Sequence, residues 1–206
     1  MSDAIPAVVL GASGYVGGEL LRLIAGHPHY ELAAAVSESR AGSAVGNTFG
    51  HLSQTFDGVS FIAHDSWLDE IDSGSQLALF SAAPHGASAS LIANALDAAG
   101  RKNLSVHVVD SSADFRYARK SDYESVYKTP HGAPELLDRF VCAVPEHLDE
   151  SDAPHVGHPG CFATATLLAA VPLVRSGLTD AQLFVSGVTG STGSGRSPQA
   201  GTHHPE

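Results

Sequence analysis

Residues 7–18 read Ala7-Val8-Val9-Leu10-Gly11-Ala12-Ser13-Gly14-Tyr15-Val16-Gly17-Gly18. The first four form an unbroken apolar run, the pattern of a strand covered on both faces. Glycines at positions 11, 14 and 17 follow at once. Residues 19–25 carry Leu20, Leu21, Leu23 and Ile24 at helical spacing, and Gly26 ends that run. Tyr30-Glu31-Leu32-Ala33-Ala34-Ala35-Val36 reads as a second strand. Strand, glycine turn, helix and strand make one βαβ unit. The spacing is Gly-x-x-Gly-x-x-Gly rather than the commoner Gly-x-Gly-x-x-Gly, but the physics is shared. Gly11 allows a tight exit from the strand, Gly14 lets backbone approach a pyrophosphate, and Gly17 lets the helix pack on the strand. The helix N-terminus offers N–H donors to the anion. Gly11, Ser13, Gly14, Tyr15, Val16 and Gly17 are therefore expected to hold a dinucleotide. The competing reading is a structural glycine turn in another doubly wound fold.

Working outward, the end of the second strand should meet the 2′ group of such a cofactor, about 20 residues past the glycines. The chain reads Ser37-Glu38-Ser39-Arg40 there. A carboxylate at this place favours a ribose hydroxyl and hence NAD. Ser37, Ser39 and Arg40 offer hydroxyls and a guanidinium to a 2′-phosphate and hence NADP, provided that Glu38 points outward. The expectation is NADP.

The alternation continues. Short strands are expected at 60–63, 77–81 and 105–109, with a helix at 87–99 closed by Gly100. Ligands of open parallel sheets gather at the carboxyl ends of strands. Two turns fall there: Pro84-His85-Gly86 and Asp110-Ser111-Ser112-Ala113-Asp114-Phe115-Arg116. Pro84 and His85 are expected to line the nicotinamide pocket, although a turn-forming role for His85 weighs equally. Residues 117–139 are polar and broken by prolines, which predicts a long loop placed to cover the active site. Residues 140–144 read as a buried strand in which Cys142 is inert core. The fold class is α/β: a Rossmann-type doubly wound parallel sheet over residues 1–155.

His158-Pro159-Gly160-Cys161-Phe162-Ala163-Thr164-Ala165-Thr166 follows. Pro and Gly punctuate a turn. The Ala-, Leu- and Thr-rich run to Val174 reads as a buried helix with Cys161 at its start. Unpaired N–H groups and the helix dipole favour a thiolate there, lowering a thiol pKa from about 8.5 by one or more units. Cys161 is thus the candidate nucleophile, against the alternative of a small residue packing a helix start. Residues 181–188 have strand character and should begin a second sheet. Residues 189–198 are rich in Gly and Ser, and Arg196 within them makes an anion-binding loop more apt than a linker. Residues 156–206 are therefore expected to open a second, α+β substrate and dimerisation domain. One strand cannot make a sheet, so an N-terminal portion of a longer protein is expected.

Composition narrows the rest. The 206-residue chain carries a formal charge of −11 and no Lys- or Arg-rich run, which argues against nucleic acid as partner. Its two cysteines, Cys142 and Cys161, form no Cys-x-x-Cys pair, and its twelve histidines form no His-Glu-x-x-His pair. No metal site is expected, and the adjacent His203 and His204 project in different directions. The N-terminus has no basic leader, and no apolar run reaches membrane length. A reducing cytoplasm and no membrane contact are expected.

These residues together resemble N-acetyl-γ-glutamyl-phosphate reductase of arginine biosynthesis, a relative of aspartate-semialdehyde dehydrogenase, over essentially all 206 residues. The likeness is carried by the glycine turn at 11–17, Pro84-His85-Gly86, the 110–116 turn, His131-Gly132-Ala133-Pro134-Glu135-Leu136 and Pro159-Gly160-Cys161. It implies NADPH as hydride donor, Cys161 as the residue that forms a thioester from an acyl phosphate, and a homo-oligomer. Arg116, Gly160 and Arg196 would face the small-molecule substrate, although both arginines could equally be ordinary salt-bridging residues. It also implies a catalytic histidine beyond residue 206, a role not carried onto His203 or His204. The family usually has Asn where His158 stands and Tyr-Pro where Phe162-Ala163 stand. The 193–196 loop and residues 202–206 are more like the branch that reduces acyl phosphates held on a small acidic carrier protein in lysine biosynthesis. A charge of −11 repels such a carrier and mildly favours the free N-acetyl substrate. Aspartate-semialdehyde dehydrogenase activity, a nucleotide-binding module without catalysis, and a structural domain that reuses the fold are the competing readings.

Overall fold

The computed structural model describes residues 4–148, 151–180 and 182–196. Six strands form one sheet, all paired in parallel: β1 (Ile5–Leu10), β2 (Tyr30–Val36), β3 (Gln76–Ser81), β4 (Ser105–Asp110), β5 (Phe140–Cys142) and β6 (His155–Gly157). Their order is β2-β1-β3-β4-β6-β5. Helices α1 (Tyr15–Ala25), α2 (Val45–Thr48), α3 (Ser88–Arg101), α4 (Lys120–Tyr127) and α5 (Cys161–Arg175) connect or follow the strands.

The period of two in β1 explains the layering. Val8 and Leu10 face one core with Leu77, Leu79, Ile92 and Trp67. Ala7 and Val9 face the other with Leu21, Ile24, Phe49 and Phe61. A strand with apolar residues on both faces can only lie between two covering layers, and α1 and α3 supply them. From β1 the chain winds outward to β2, then returns to place β3 on β1's other side. The crevice above β1 and β3 is the point where winding reverses, the usual ligand site of such sheets.

Several expectations are corrected. The strand expected at 60–63 is reduced to two isolated bridges, Ser60 with Ala44 and Ile62 with Val36, because its two sides pair with different segments. Gly100 does not end α3, which runs to Arg101; Asn103, at φ 56°, makes the turn. The loop expected over 117–139 contains α4 and a 3₁₀ turn at Pro134–Arg139. Its Tyr123 and His131 are buried against Asp114 of the 110–116 turn. Cys142 is exposed rather than core, since β5 is a three-residue edge strand. The helix at Cys161 forms but has no buried residue, with Phe162, Leu168 and Leu173 exposed. Residues 182–190 form no strand: no described strand pairs with them, and Phe184 and Val188 stand in the open. β6 spans the expected domain boundary at residue 155. Residues 197–206, with His203 and His204, lie outside the described residues. Among those described, no helix is long and apolar enough to cross a membrane.

Candidate active site

The glycine turn after β1 is built as the sequence requires. Gly11 has φ 69°, and a Cβ there would lie 2.6 Å from the Ala82 carbonyl oxygen. A Cβ on Gly17 would lie 2.5 Å from the Gly11 oxygen. Both positions need glycine for close approach. Gly14 is the N-cap of α1, and no side chain caps this helix. Its first-turn N–H groups therefore remain for an outside acceptor. No acidic residue lies in that turn, while Tyr15 and Val16 are exposed at its mouth. This uncapped, acid-free cradle fits the pyrophosphate of a dinucleotide.

The turn is tied to the end of β2 by the Ser13 and Ser37 hydroxyls, 2.7 Å apart. Ser37 is buried, whereas Glu38, Ser39 and Arg40 are exposed. Glu38 turns towards His64: its Oε2 accepts the His64 backbone N–H at 3.3 Å and lies 3.3 Å from His64 Nδ1. Beside this pair, a cavity of about 290 Å³ opens between residues 64–68 and α3, lined by His64, Trp67, Leu91, Asn94 and Ala95 among others.

Cys161 is the first residue of α5, exposed, after Gly160 at φ 103°. Gly160 packs on Arg116: a Cβ on it would come within 3.0 Å of the guanidinium. Arg116 Nε donates to the His158 carbonyl at 3.1 Å, so the arginine is fixed beside the thiol's turn. His158 Nδ1 accepts the Gly160 N–H at 3.1 Å, and its Nε2 lies 3.2 Å from the Thr164 hydroxyl. An imidazole at residue i that accepts the N–H of i+2 reproduces the bond an Asn makes in an Asx turn. Burial and the neighbouring Arg116 charge push the His158 pKa down, which keeps it a neutral acceptor at neutral pH.

A buried polar network joins the two regions. Asp114 Oδ1 accepts Gly86 N–H at 2.7 Å and the Tyr123 hydroxyl at 3.2 Å, and its Oδ2 accepts Ala89 N–H at 2.9 Å. Asp110 accepts the Ser88 hydroxyl at 2.7 Å and the Ser112 hydroxyl at 2.6 Å, and its pKa is raised, chiefly by burial. His85 Nδ1 accepts the Ala113 N–H at 2.9 Å, and Pro84 accepts N–H bonds from Ala87 and Ser88. The 84–86 turn is thus locked to the 110–116 turn that carries Arg116. Sequence reasoning singled out the two turns but not Asp110, Asp114, Tyr123, His131 or Ser88 as their fastenings. The signal present was two acidic residues at a strand end beside a serine-rich helix start.

The structure brings Cys161, Gly160 and Arg116 together, and separately Gly11, Ser13, Gly14, Tyr15, Val16, Gly17 and Ser37, with Ser39 and Arg40 at the rim. Arg196 does not join Cys161. Its guanidinium donates to the Ser13 carbonyl at 2.9 Å and sits over the rings of Tyr15 and Phe49, on the glycine turn. Three strand spacings, about 14 Å, separate the ends of β1 and β6, and both clusters follow the carboxyl ends of strands in the same parallel sheet.

A family model described as semialdehyde dehydrogenase, NAD binding domain, matches residues 6–152. This chain belongs to the semialdehyde dehydrogenases. The dimerisation-domain model of the same semialdehyde dehydrogenases matches residues 161–206. Among curated relatives, LysW-L-2-aminoadipate/LysW-L-glutamate phosphate reductase of Saccharolobus solfataricus is 39% identical, with 100% of this chain and 56% of the relative covered. N-acetyl-gamma-glutamyl-phosphate reductase of Azotobacter vinelandii is 40% identical over 94% of this chain and 54% of its own length. The chain thus spans about half the length of the curated relatives it matches. The fold is also that of aspartate semialdehyde dehydrogenase from Candida albicans, solved with NADP: TM-score 0.56, 21% identity, 84% of this chain and 48% of that one.

Proposed function

We propose that this chain forms the nucleotide-binding and nucleophile-bearing part of an NADP-dependent reductase that converts N-acetyl-γ-glutamyl phosphate to the semialdehyde and inorganic phosphate. The observation that carries the proposal is the exposed Cys161 at the start of α5, set beside the Arg116 guanidinium and, like the uncapped glycine turn, following the carboxyl end of a strand in the same sheet. The names of the relatives at about 40% identity support it.

Residues 11–17 hold the pyrophosphate, with Arg196 closing over Ser13. The cavity by His64 and Leu91 takes the adenine, and Pro84 and His85 border the nicotinamide. Cys161, as thiolate, attacks the acyl carbon; the carbon–oxygen bond to phosphate breaks, phosphate leaves with the electron pair, and a thioester remains on Cys161. NADPH, when bound, would supply the hydride to the thioester carbon; the carbon–sulfur bond then breaks, the aldehyde leaves, and the electron pair returns to Cys161 as thiolate. Backbone N–H groups at the start of α5 stabilise the oxyanion. Arg116, which makes no ion pair among the described residues, orients the substrate's carboxylate or phosphate. His158, bonded to Gly160, holds the turn. Residues 156–206 open the catalytic and dimerisation domain, through which the protein self-associates. The two free thiols suit a reducing cytoplasm.

A carrier-bound acyl phosphate is the second reading, favoured by the relative of that name that is matched along the whole of this chain. Assay of the full-length enzyme with both acyl phosphates separates the two. In the same assay Cys161→Ser lowers NADPH oxidation at least about a thousandfold, while Cys142→Ser retains it. Substantial turnover in Cys161→Ser removes the cysteine from the chemistry.

A further inference from the structure

At the end of β2 a carboxylate and a guanidinium compete to define which cofactor fits. Glu38 lies where an acidic residue accepts the ribose hydroxyls of NAD and repels the 2′-phosphate of NADP. Arg40, two residues on, offers the opposite charge. The local sequence holds both, and the outcome depends on where each side chain is directed.

The chain resolves the conflict with a residue 26 positions away. Ser37 N–H donates to the Ile62 carbonyl at 2.9 Å, and Ile62 bridges Val36, which lays residues 60–63 along the outer side of β2. The next residue but one, His64, therefore emerges beside Glu38. It engages the same carboxylate oxygen twice, through its backbone N–H at 3.3 Å and its Nδ1 at 3.3 Å. Ser37 is buried against Ser13. That leaves the exposed Ser39 hydroxyl and Arg40 guanidinium at the rim, and Arg40 makes no ion pair among the described residues. His64 also lines the cavity opposite Leu91 and Asn94, so it stands between Glu38 and the space assigned to the adenine.

We propose that His64 is a positioning residue for cofactor selectivity: it draws Glu38 away from the 2′ position and so opens the rim at Ser39 and Arg40 to a 2′-phosphate. The inference rests on the dinucleotide reading of the glycine turn and adds to it a cause of NADP preference. The Glu38–His64 contact is half in solvent, with side-chain exposures of 67% and 34%. Such pairs add little to stability, so its removal leaves the fold intact and the variants can be compared directly.

The experiment is calorimetric titration of the full-length protein with NADP⁺ and, separately, NAD⁺. His64→Ala lowers the NADP⁺/NAD⁺ affinity ratio about tenfold, the size of one unpaired charge near a phosphate at a solvated surface; any packing lost against the adenine falls on both nucleotides alike and cancels in the ratio. Adding Glu38→Gln to His64→Ala restores the NADP⁺/NAD⁺ ratio, because the released side chain no longer carries charge. Arg40→Ala weakens NADP⁺ alone. An unchanged NADP⁺/NAD⁺ ratio in His64→Ala, or no recovery in the double variant, overturns this inference while the dinucleotide reading stands. Binding of neither nucleotide by the unsubstituted protein overturns both.

Discussion

Gly17 shows how one missing side chain fixes a helix on a strand. It lies in the first turns of α1, buried, with the Gly11 carbonyl oxygen and the Ala12 backbone where a Cβ would project, 2.5 and 2.6 Å away. These neighbours are backbone, so they cannot swing aside. Gly17→Ala should displace α1 from β1, cost about 1–3 kcal/mol of stability, and abolish dinucleotide binding. Urea unfolding and nucleotide titration measure the two effects; an alanine variant of unchanged stability and affinity would show that the helix has slack. The same residue was readable in sequence because the glycine spacing itself encodes the close approach. Glu38 was not: its type argues for one cofactor and its orientation for another, and orientation depends on His64, which no local pattern links to it. Arg196 is legible only in part for a similar reason. A guanidinium in a Gly-Ser loop signals an anion or carbonyl partner, but not which of two clusters on the same sheet supplies it.

At the scale of elements, α3 is held by a residue outside it. No side chain of its own caps its N-terminus. Asp114, in the turn after β4, accepts the N–H groups of Gly86 and Ala89 instead. Asp114 is buried, so Asp114→Ala leaves buried donors without partners, a loss of about 3 kcal/mol. Asp114→Asn, which keeps one acceptor oxygen, should lose less, and thermal unfolding of the two variants gives the comparison. Equal stability of Asp114→Ala and the unsubstituted chain would mean that another acceptor takes over. The long, strongly patterned elements β1, α1, β2, β3, α3 and β4 were legible because apolar periodicity decides them. The 117–139 segment was not, since α4 is polar and is anchored by one buried ring, Tyr123, whose hydroxyl bonds Asp114. Nor was β6: His155-Val156-Gly157 has too few residues to show a period. The strand expected at 181–188 shows the converse: residues 182–188 have strand composition but pair with no strand among the described residues.

The molecule as a whole should be sensitive to acid. His155 is fully buried, its ring tilted against Phe140, and its Nδ1 accepts the Val108 N–H. Burial, with the charge of Arg139, lowers its pKa from 6.5 to about 4. The unfolded chain takes up this proton first as pH falls, so stability drops from about pH 6.5 towards pH 4. By pH 4.5 the loss from this group is about 2–3 kcal/mol. His158, also lowered, acts in the same sense. Asp110, raised by burial, acts oppositely: the folded state binds its proton more readily, which returns some stability as pH falls through its raised pKa towards 3.8. Denaturant unfolding at pH 7.5 and 4.5 should show a net decrease, and His155→Leu should flatten it. A profile equally steep in His155→Leu would assign the acid sensitivity to other groups.

The position of β6 between β4 and β5 has a consequence for synthesis on the ribosome. β5 is translated first, yet its described pairings run only to β6. Until residues 155–157 emerge, it has no edge to join. Three residues then complete that side of the sheet, and the turn bearing the thiol follows them directly. The exposed Cys161 thiol is therefore set in place as the last act of assembling the sheet, after the glycine turn at residues 11–17 has long been available to form.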